Sequence, residues 1–242
     1  METTMSLDRF KPNLKLKSNK LFNHITLPTP PKLTQHNTPN GRYYTLPTLD
    51  KRYYSVTTVL HHMTEDIITE WKNNVGEEVA KRQGAAASQL GTMLHTLSEH
   101  YLKNEELEPH FQNNLIMYHR FKAFSTELDN LDNIHCLEVQ MYSEKLGIAG
   151  TVDCIAEYKG KLSIIDFKTS KKLKHESDIA HYFAQASAYA IMAYERFGLK
   201  ISQVCIMISV ENESPLVYTA NVKDYVPVLL QAIKTFKEKL NG

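Results

Sequence analysis

The stretch that decides the fold is Gly147 to Ser170, GIAGTVDCIAEYKGKLSIIDFKTS. It predicts two strands, Ile148 to Tyr158 and Lys161 to Lys168, joined by a tight turn at Lys159-Gly160. Glycine supplies the positive φ angle that such a turn requires. The stretch therefore predicts a β-hairpin whose register can be counted back from the turn.

The register of this hairpin brings two aspartates together. When Tyr158 faces Lys161 across the turn, Asp153 lies directly opposite Asp166. Lys168 shares a face with Asp166, because side chains alternate along a strand. Like charges that face each other destabilise a sheet, and a buried carboxylate without a partner is costly or stays protonated. A metal ion or the lysine must therefore stabilise the pair, with an ordinary Asp–Lys ion pair on a hairpin face as the alternative.

The motif Gly150-Thr-Val-Asp153, followed by Asp166-Phe167-Lys168, resembles the signature of the PD-(D/E)XK nuclease superfamily. Here Gly-x-x-Asp replaces the conventional opening proline–aspartate. This variant resembles the RecB-like branch, which includes the mitochondrial genome maintenance exonucleases and their phage-encoded relatives. The resemblance extends over most of the chain, from about Tyr53 to Val210.

Hydrophobic periodicity places further elements around the hairpin. The predicted helices are Thr64 to Trp71, Glu77 to Gln83, Ala86 to Lys103, Pro109 to Leu128, Asp178 to Phe197 and Asp224 to Leu240. The predicted strands are Ile134 to Tyr142, Gln203 to Val210 and Leu216 to Val222, with Tyr53 to Leu60 as β-rich sequence that leads into a helix. From Gly91 onward the order is αβββαβ with one inserted helix. We therefore predict an α/β fold with a restriction-endonuclease-like core, in which helices flank a mixed central sheet, and with N-terminal helical additions.

The domain organisation follows from composition. Residues 1–38 are polar, and Pro28-Thr-Pro-Pro31 excludes regular structure, so they predict an N-terminal arm that is partly disordered or laid over the domain. The segment Pro39-Asn40-Gly41-Arg42 predicts a turn between short β-prone stretches. Residues 39–242 are predicted to form a single nuclease domain.

The resemblance implies roles for several residues. Asp153, Asp166 and Lys168 would be the catalytic set. The segment Gly91-x-x-x-His95 resembles the first motif of the RecB-like family, so the metal ligands would be His95, Asp153, Asp166 and the main-chain carbonyl of Phe167. A histidine beside an apolar helical stripe is also typical of a satisfied core residue, and that alternative stays open.

Nucleic-acid contacts are implied in the same way. The candidate residues are Gln185 and Tyr189 one helical turn apart, Lys171 and Lys172 in a basic loop, and the hydroxyls of Ser55 and Thr57. An edge strand without a role is the alternative for the two hydroxyl residues. Glu138, on the strand before the hairpin, is interpreted as a solvated residue, with an additional acid at the site as the alternative.

Composition limits the cofactors and the partners. The chain has 28 basic and 27 acidic residues, a net charge of +1, so a nucleic-acid-binding surface would have to be local. The three cysteines, Cys136, Cys154 and Cys205, lie far apart in apolar sequence and are typical of core residues in a reducing compartment. They cannot supply the four-cysteine iron–sulfur cluster of some RecB-like nucleases. No apolar run reaches membrane-spanning length, so we expect no membrane partner.

The resemblance implies a Mg²⁺- or Mn²⁺-dependent exonuclease that hydrolyses single-stranded DNA with free ends during replication, recombination or repair. We expect a monomer in the cytoplasm, the host's if the protein is phage-encoded, with replication or recombination proteins as candidate partners. The basic first 32 residues leave a mitochondrial presequence open. The alternative functions are a non-catalytic nucleic-acid-binding subunit of a nuclease complex and a small-molecule phosphatase, although no phosphate-cradling glycine loop is present.

Overall fold

The computed structural model describes residues 16–47, 49–107 and 114–241. Within these residues eight strands form one sheet. The strands are β1 (Thr34–Thr38), β2 (Gly41–Leu46), β3 (Leu49–Ser55), β4 (Leu131–Ser143), β5 (Ile148–Tyr158), β6 (Lys161–Ser170), β7 (Gln203–Val210) and β8 (Leu216–Asn221). The helices are α1 (Val56–Leu60), α2 (Glu65–Val75), α3 (Glu77–Leu102), α4 (Leu115–Leu128), α5 (Ala180–Phe197) and α6 (Val222–Asn241).

The sheet is mixed, and its order is β1-β2-β3-β5-β6-β7-β8, with β4 paired to the other edge of β5. The pairs β3–β5 and β6–β7 are parallel, and the remaining pairs are antiparallel. From α3 onward the described order is α3, α4, β4, β5, β6, α5 and β7. The predicted αβββαβ core with its inserted helix is therefore confirmed.

The register of the central hairpin is confirmed near the turn, but the ladder ends before the predicted pairing of Asp153 with Asp166. Tyr158 pairs with Lys161, and the ladder continues back to Cys154 and Ile165. Beyond that pair β5 and β6 separate, and the first residues of β5 pair with β3 instead. One edge of β5 thus pairs with β6 near the hairpin turn and with β3 at the start of the strand. We call the point beyond the Cys154–Ile165 pair, where β5 and β6 separate, the fork.

Helices cover both faces of the sheet. On one face α1, α5 and α6 enclose a core that includes Phe183, Ile206 and Leu229. On the other face α3 and α4 enclose a second core that includes Phe124 and Phe167. Because both faces are covered, the central strands are apolar almost throughout, as interior strands must be.

Three boundaries differ from the sequence-based prediction. The two helices predicted on either side of Gly84 are one continuous helix, because a single glycine weakens a helix by only about 1 kcal/mol and does not end it. Helix α4 begins at Leu115, where the Asn114 side chain accepts a hydrogen bond from the Met117 N–H, and part of the predicted helix from Pro109 lies outside the described residues. Residues Thr34–Thr38, which the predicted arm included, form β1.

The segment before β1 is laid over the domain. The Phe22 ring is 3% exposed and packs against Tyr101 of α3, and the Phe22 main chain exchanges two hydrogen bonds with the Asn104 side chain. Further along, the Ile25 N–H donates to the Ile134 carbonyl at 2.8 Å. Within the part of the chain that the structure describes, no helix is both long and apolar enough to cross a membrane.

We expect Phe22→Ala to lower the free energy of unfolding by about 3–5 kcal/mol, because it leaves a cavity against α3. Urea denaturation would measure the change. Leu21→Ala is the matched control, since Leu21 is 72% exposed and its removal should change stability by less than about 0.5 kcal/mol. Equal effects of the two substitutions would show that this segment is not docked in solution.

Candidate active site

The fork between β5 and β6 opens into a cleft of about 500 Å³. The last pair of the β5–β6 ladder joins Cys154 and Ile165, and the next residues away from the turn are Asp153 on β5 and Asp166 on β6. They are 6% and 1% exposed. Asp153 lines this cleft, as do Lys168 and Gln185, the two residues that contact the buried Asp166.

The Asp153 carboxylate takes the place of a main-chain acceptor at the fork. Its Oδ2 accepts a hydrogen bond from the Phe167 N–H at 2.8 Å, where the two strands no longer pair directly. Burial raises the pKa of Asp153 above its ordinary value, although the charges of His95 and Lys168 oppose the rise. The site thus holds a carboxyl group whose charge needs a positive neighbour.

The Asp166 carboxylate has two partners. Lys168 Nζ lies 2.5 Å from Oδ2, and the Gln185 amide donates to Oδ1 at 3.0 Å. Burial raises the pKa of Asp166 to about 6, against the opposing effect of Lys168 and with a contribution from Asp153. The sequence analysis predicted that either a metal ion or Lys168 stabilises the two aspartates, and in this structure Lys168 pairs with Asp166.

The Lys168 ammonium group lies between the Asp166 carboxylate and the Tyr182 ring. Its nitrogen lies 5.1 Å from the centre of the Tyr182 ring on α5, a cation–π arrangement. Burial alone would lower the pKa of Lys168, but Asp166 and Asp153 raise it above its ordinary value. At neutral pH the side chain is therefore an ammonium ion directed into the cleft.

The side chain of His95, on α3, contacts the Phe167 carbonyl and approaches Asp153. Its Nε2 lies 3.0 Å from the Phe167 carbonyl oxygen, and its Nδ1 lies 3.0 Å from Glu138 and 3.6 Å from Asp153. Burial would lower the pKa of His95, but the hydrogen bond to Glu138 and the charge of Asp153 raise it to about 9. Both ring nitrogens therefore carry protons in the metal-free protein and donate to these acceptors.

Glu138 belongs to the site, which the sequence did not establish. It is half-buried in the middle of β4 with φ of +50°, a left-handed conformation that is rare for glutamate. Its strand neighbours keep their pairing with β5, so the unusual angle redirects this one side chain toward His95. Strand alternation could predict a polar residue here but not the direction in which it points.

The donor atoms fit a hard divalent cation. Among the described residues, one group of ligand-type side chains has its donor atoms within 4.8 Å of one another, and it is His95, Glu138 and Asp153. Each of these residues offers one nitrogen or oxygen donor, which is the type of ligand that Mg²⁺ and Mn²⁺ accept. Asp166 is engaged by Lys168 instead, and it borders this group through Phe167.

The candidate nucleic-acid residues divide into two sets. Gln185 and Tyr189 on α5 line the floor of the cleft, and Ser55 and Thr57 line one wall, with their hydroxyl oxygens 2.6 Å apart. Lys171 and Lys172 are exposed outside this cleft, and Lys171 borders a separate groove near Arg120 and Leu90. The roles of all six remain predictions.

The sequence analysis did not identify several cleft residues, and for two of them helical spacing provides a signal. His181 and Tyr182 line the cleft beside Lys168. They lie one helical turn before Gln185, and therefore on the same helical face as the pair that the sequence did identify. Burial, together with the charges of Lys168 and Lys174, lowers the pKa of His181 to about 4, so this ring is neutral at physiological pH.

Close packing against Tyr189 explains why the first residue of the Gly-x-x-Asp motif is glycine. A Cβ atom on Gly150 would lie 2.7 Å from the Tyr189 hydroxyl and 3.0 Å from its ring. Tyr189 is 4% exposed and cannot swing freely away. Gly150 therefore lets α5 approach the fork closely enough for Gln185 to reach Asp166.

Comparisons with known proteins identify nucleases among the relatives of this chain. The PD-(D/E)XK nuclease superfamily matches residues 114–238. The chain is 31% identical over 128 residues to mitochondrial genome maintenance exonuclease 1 of Homo sapiens, which covers 50% of this chain and 37% of that protein. It is 45% identical over 47 residues to the Mus musculus protein of the same name, covering 19% and 14%. The matches therefore span well under half the length of these relatives.

Among solved structures, the fold is similar to a candidate exonuclease from Eubacterium rectale. The TM-score is 0.42 at 16% identity, and the match covers 63% of this chain and 65% of the other.

We expect Gly150→Ala to lower the free energy of unfolding by about 1–3 kcal/mol, because the added methyl group overlaps Tyr189. Tyr189→Phe removes the nearest atom and should recover part of the loss in a double-mutant cycle measured by thermal denaturation. Gly84→Ala is the control, since a Cβ there meets no described atom within 4 Å and should stabilise α3 by about 1 kcal/mol. Additive effects of the first two changes would contradict the contact.

We expect the His95 imidazole to titrate near pH 9 in the metal-free protein, as measured by NMR of ¹⁵N-labelled histidine in the presence of a chelator. Because this pKa lies above the ordinary 6.5, the associated stability is complete below about pH 6.5 and is lost as the pH rises through 9.

Glu138→Gln should lower the pKa of His95, since it removes a charged acceptor from Nδ1. The matched control is Glu99→Gln, because Glu99 lies one turn further along α3 and pairs with Lys103 instead. A His95 ring that titrates at or below 6.5 in the unsubstituted protein would refute the arrangement.

Proposed function

This chain belongs to the PD-(D/E)XK nuclease superfamily, and on that premise we propose that it is a divalent-metal-dependent deoxyribonuclease that degrades single-stranded DNA from free ends. The observation that carries the proposal is the convergence of Asp153, Lys168 and His95 in one open cleft, with Asp166 buried against Lys168. The name of the curated relatives, genome maintenance exonuclease, supports attack at ends and a place in DNA replication, recombination or repair.

In this proposal His95 Nε2, the Phe167 carbonyl, Asp153 and Asp166 hold a Mg²⁺ or Mn²⁺ ion. When bound, the ion supplies Lewis acidity at the phosphate and an activated water. Three of the four donors are oxygen atoms, as a hard cation requires, and the histidine nitrogen favours Mn²⁺ over Mg²⁺. Glu138 would keep the imidazole oriented through its Nδ1 hydrogen bond.

Lys168 would act as a fixed positive charge. Asp166 and Asp153 raise the pKa of its ammonium group, so the group is charged before substrate arrives. It can donate to a phosphate oxygen and stabilise the negative charge that grows as the phosphodiester bond breaks. The contact with the Tyr182 ring keeps the ammonium in place without neutralising it.

The burial of the carboxylates supports the preference for a single strand. A scissile phosphate must enter the cleft as far as Asp153, which is 6% exposed. A flexible single strand can bend its backbone into the cleft, whereas a paired strand is constrained by its complement. In the proposal Ser55, Thr57 and Gln185 position that strand, and Lys171 and Lys172 attract it from outside.

We expect Lys168→Ala to reduce cleavage by at least about 10²–10³-fold, because it removes a donor aimed at the developing charge. The assay follows end-labelled single strands beside a circular single strand and a duplex, with Mg²⁺, with Mn²⁺ and with a chelator. The linear strand should disappear only with metal, and the circle should survive. The position of the label that is lost first gives the polarity.

Lys161→Ala is the matched control, because Lys161 lies on the same strand but is exposed at the hairpin turn. It should cleave like the unsubstituted protein. Full activity of Lys168→Ala would contradict the site assignment. Retained DNA binding without any metal-dependent cleavage would favour a non-catalytic binding subunit.

A further inference from the structure

The cleft extends beyond the carboxylates to a second wall of different character. That wall is formed by Arg42 of β2, by Thr57 of α1, and by His61 and Thr64 in the turn that follows α1. The carboxylates of the cleft, in contrast, belong to β4 and β5. One end of the cleft is therefore suited to cations, and the other presents a guanidinium, an imidazole and hydroxyl groups.

The main chain of Arg42 is fixed against α1. Gly41 has φ of +107°, and a Cβ atom there would lie 2.3 Å from the Thr58 methyl carbon, so the turn requires glycine. The Arg42 N–H donates to the Thr58 hydroxyl at 2.9 Å, and its Nε–H donates to the Asn37 side chain at 3.3 Å. These two hydrogen bonds hold the Arg42 main chain and its Nε atom at the rim of the cleft.

The terminal N–H groups of Arg42 remain available. A guanidinium has five N–H donors, and Arg42 uses only Nε–H among the contacts of the described residues. No carboxylate of the described residues lies within ion-pair distance of it. A planar fork of free donors beside hydroxyl groups is suited to a phosphate, which it can bind through two hydrogen bonds.

We propose that Arg42, together with Thr57 and His61, forms a phosphate subsite that binds a nucleic-acid phosphate other than the one being cleaved. The inference rests on the proposed nuclease function, since the same cleft holds the scissile phosphate. Two sources share this chemistry, namely the terminal phosphate of a strand and an internal phosphodiester. A terminal phosphate would place the strand end at a fixed distance from the carboxylates.

The test measures binding of a fluorescent oligothymidine in a chelator, where no metal-dependent cleavage occurs, over a series of salt concentrations. Each phosphate contact on a single strand contributes about 0.7 to the slope of log affinity against log salt. We expect Arg42→Gln to reduce that slope by about 0.7 and to weaken binding about tenfold. Arg42→Lys should keep the slope but lose affinity, because a lysine retains the charge without the fork.

Arg52→Gln is the matched control. Arg52 lies on the next strand of the same hairpin, where it stacks on Tyr43 at 5.0 Å and does not line the cleft. Its replacement should leave the slope and the affinity unchanged. Thermal denaturation of both variants verifies that the hairpin stays folded.

The probes distinguish the two sources. Strands with a 5′-phosphate, a 3′-phosphate or neither are compared with a circular strand. If Arg42 binds a terminal phosphate, the unsubstituted protein prefers one phosphorylated end and Arg42→Gln abolishes that preference. If it binds an internal phosphodiester, Arg42→Gln weakens every probe alike, including the circle. Either pattern supports the subsite.

Three outcomes would overturn the subsite. They are a salt slope that Arg42→Gln leaves unchanged on every probe, including both phosphorylated strands, an equal loss in Arg52→Gln, and an absence of salt-dependent binding by the unsubstituted protein. Steady-state cleavage separates this failure from failure of the nuclease proposal. A protein that cleaves normally, with an unchanged KM after Arg42→Gln, retains its function and lacks the subsite.

Discussion

Burial of two adjacent carboxylates is the constraint on which the rest of this structure depends. Asp153 and Asp166 would repel each other and would lose hydration, so each must be compensated. The Phe167 N–H compensates the first, and Lys168 with Gln185 compensates the second. His95 of α3 also compensates Asp153, and the other compensating groups come from β6 or from the helix that follows it. Strand β6 and α5 are therefore coupled through the acids, and a change to either alters the environment of both carboxylates.

The fork supplies the space that this arrangement needs. Strand β5 pairs with β6 only as far as Cys154, and then with β3 along the same edge. The N-terminal hairpin is therefore part of the central sheet, and it also contributes a wall of the cleft through Arg42 and the adjoining α1. On the other side α5 approaches closely because Gly150 has no side chain. Arg42 and Gly150 therefore contribute both to the packing of the fold and to the shape of the cleft.

Local pattern predicted the hairpin register, the order of the core elements and the residues at the fork, because turn chemistry and strand alternation are local properties. It could not predict the direction of Glu138, since a positive φ at glutamate is imposed by the tertiary environment. The position of Arg42 depends on Thr58, sixteen residues further along the chain. The two helices predicted on either side of Gly84 form one helix, because the cost of a single glycine is too small to end a long helix. His181 and Tyr182 were predictable from helical spacing alone.

The central claim is that the buried acids at the fork form a divalent-metal site. Diffraction from crystals soaked in Mn²⁺, collected at the manganese absorption edge, tests it most directly. We expect an anomalous peak bounded by His95, Asp153, Asp166 and the Phe167 carbonyl, with the Lys168 ammonium displaced from Asp166. An Asp166–Lys168 ion pair that persists at saturating Mn²⁺, with no peak at the fork, would contradict the account.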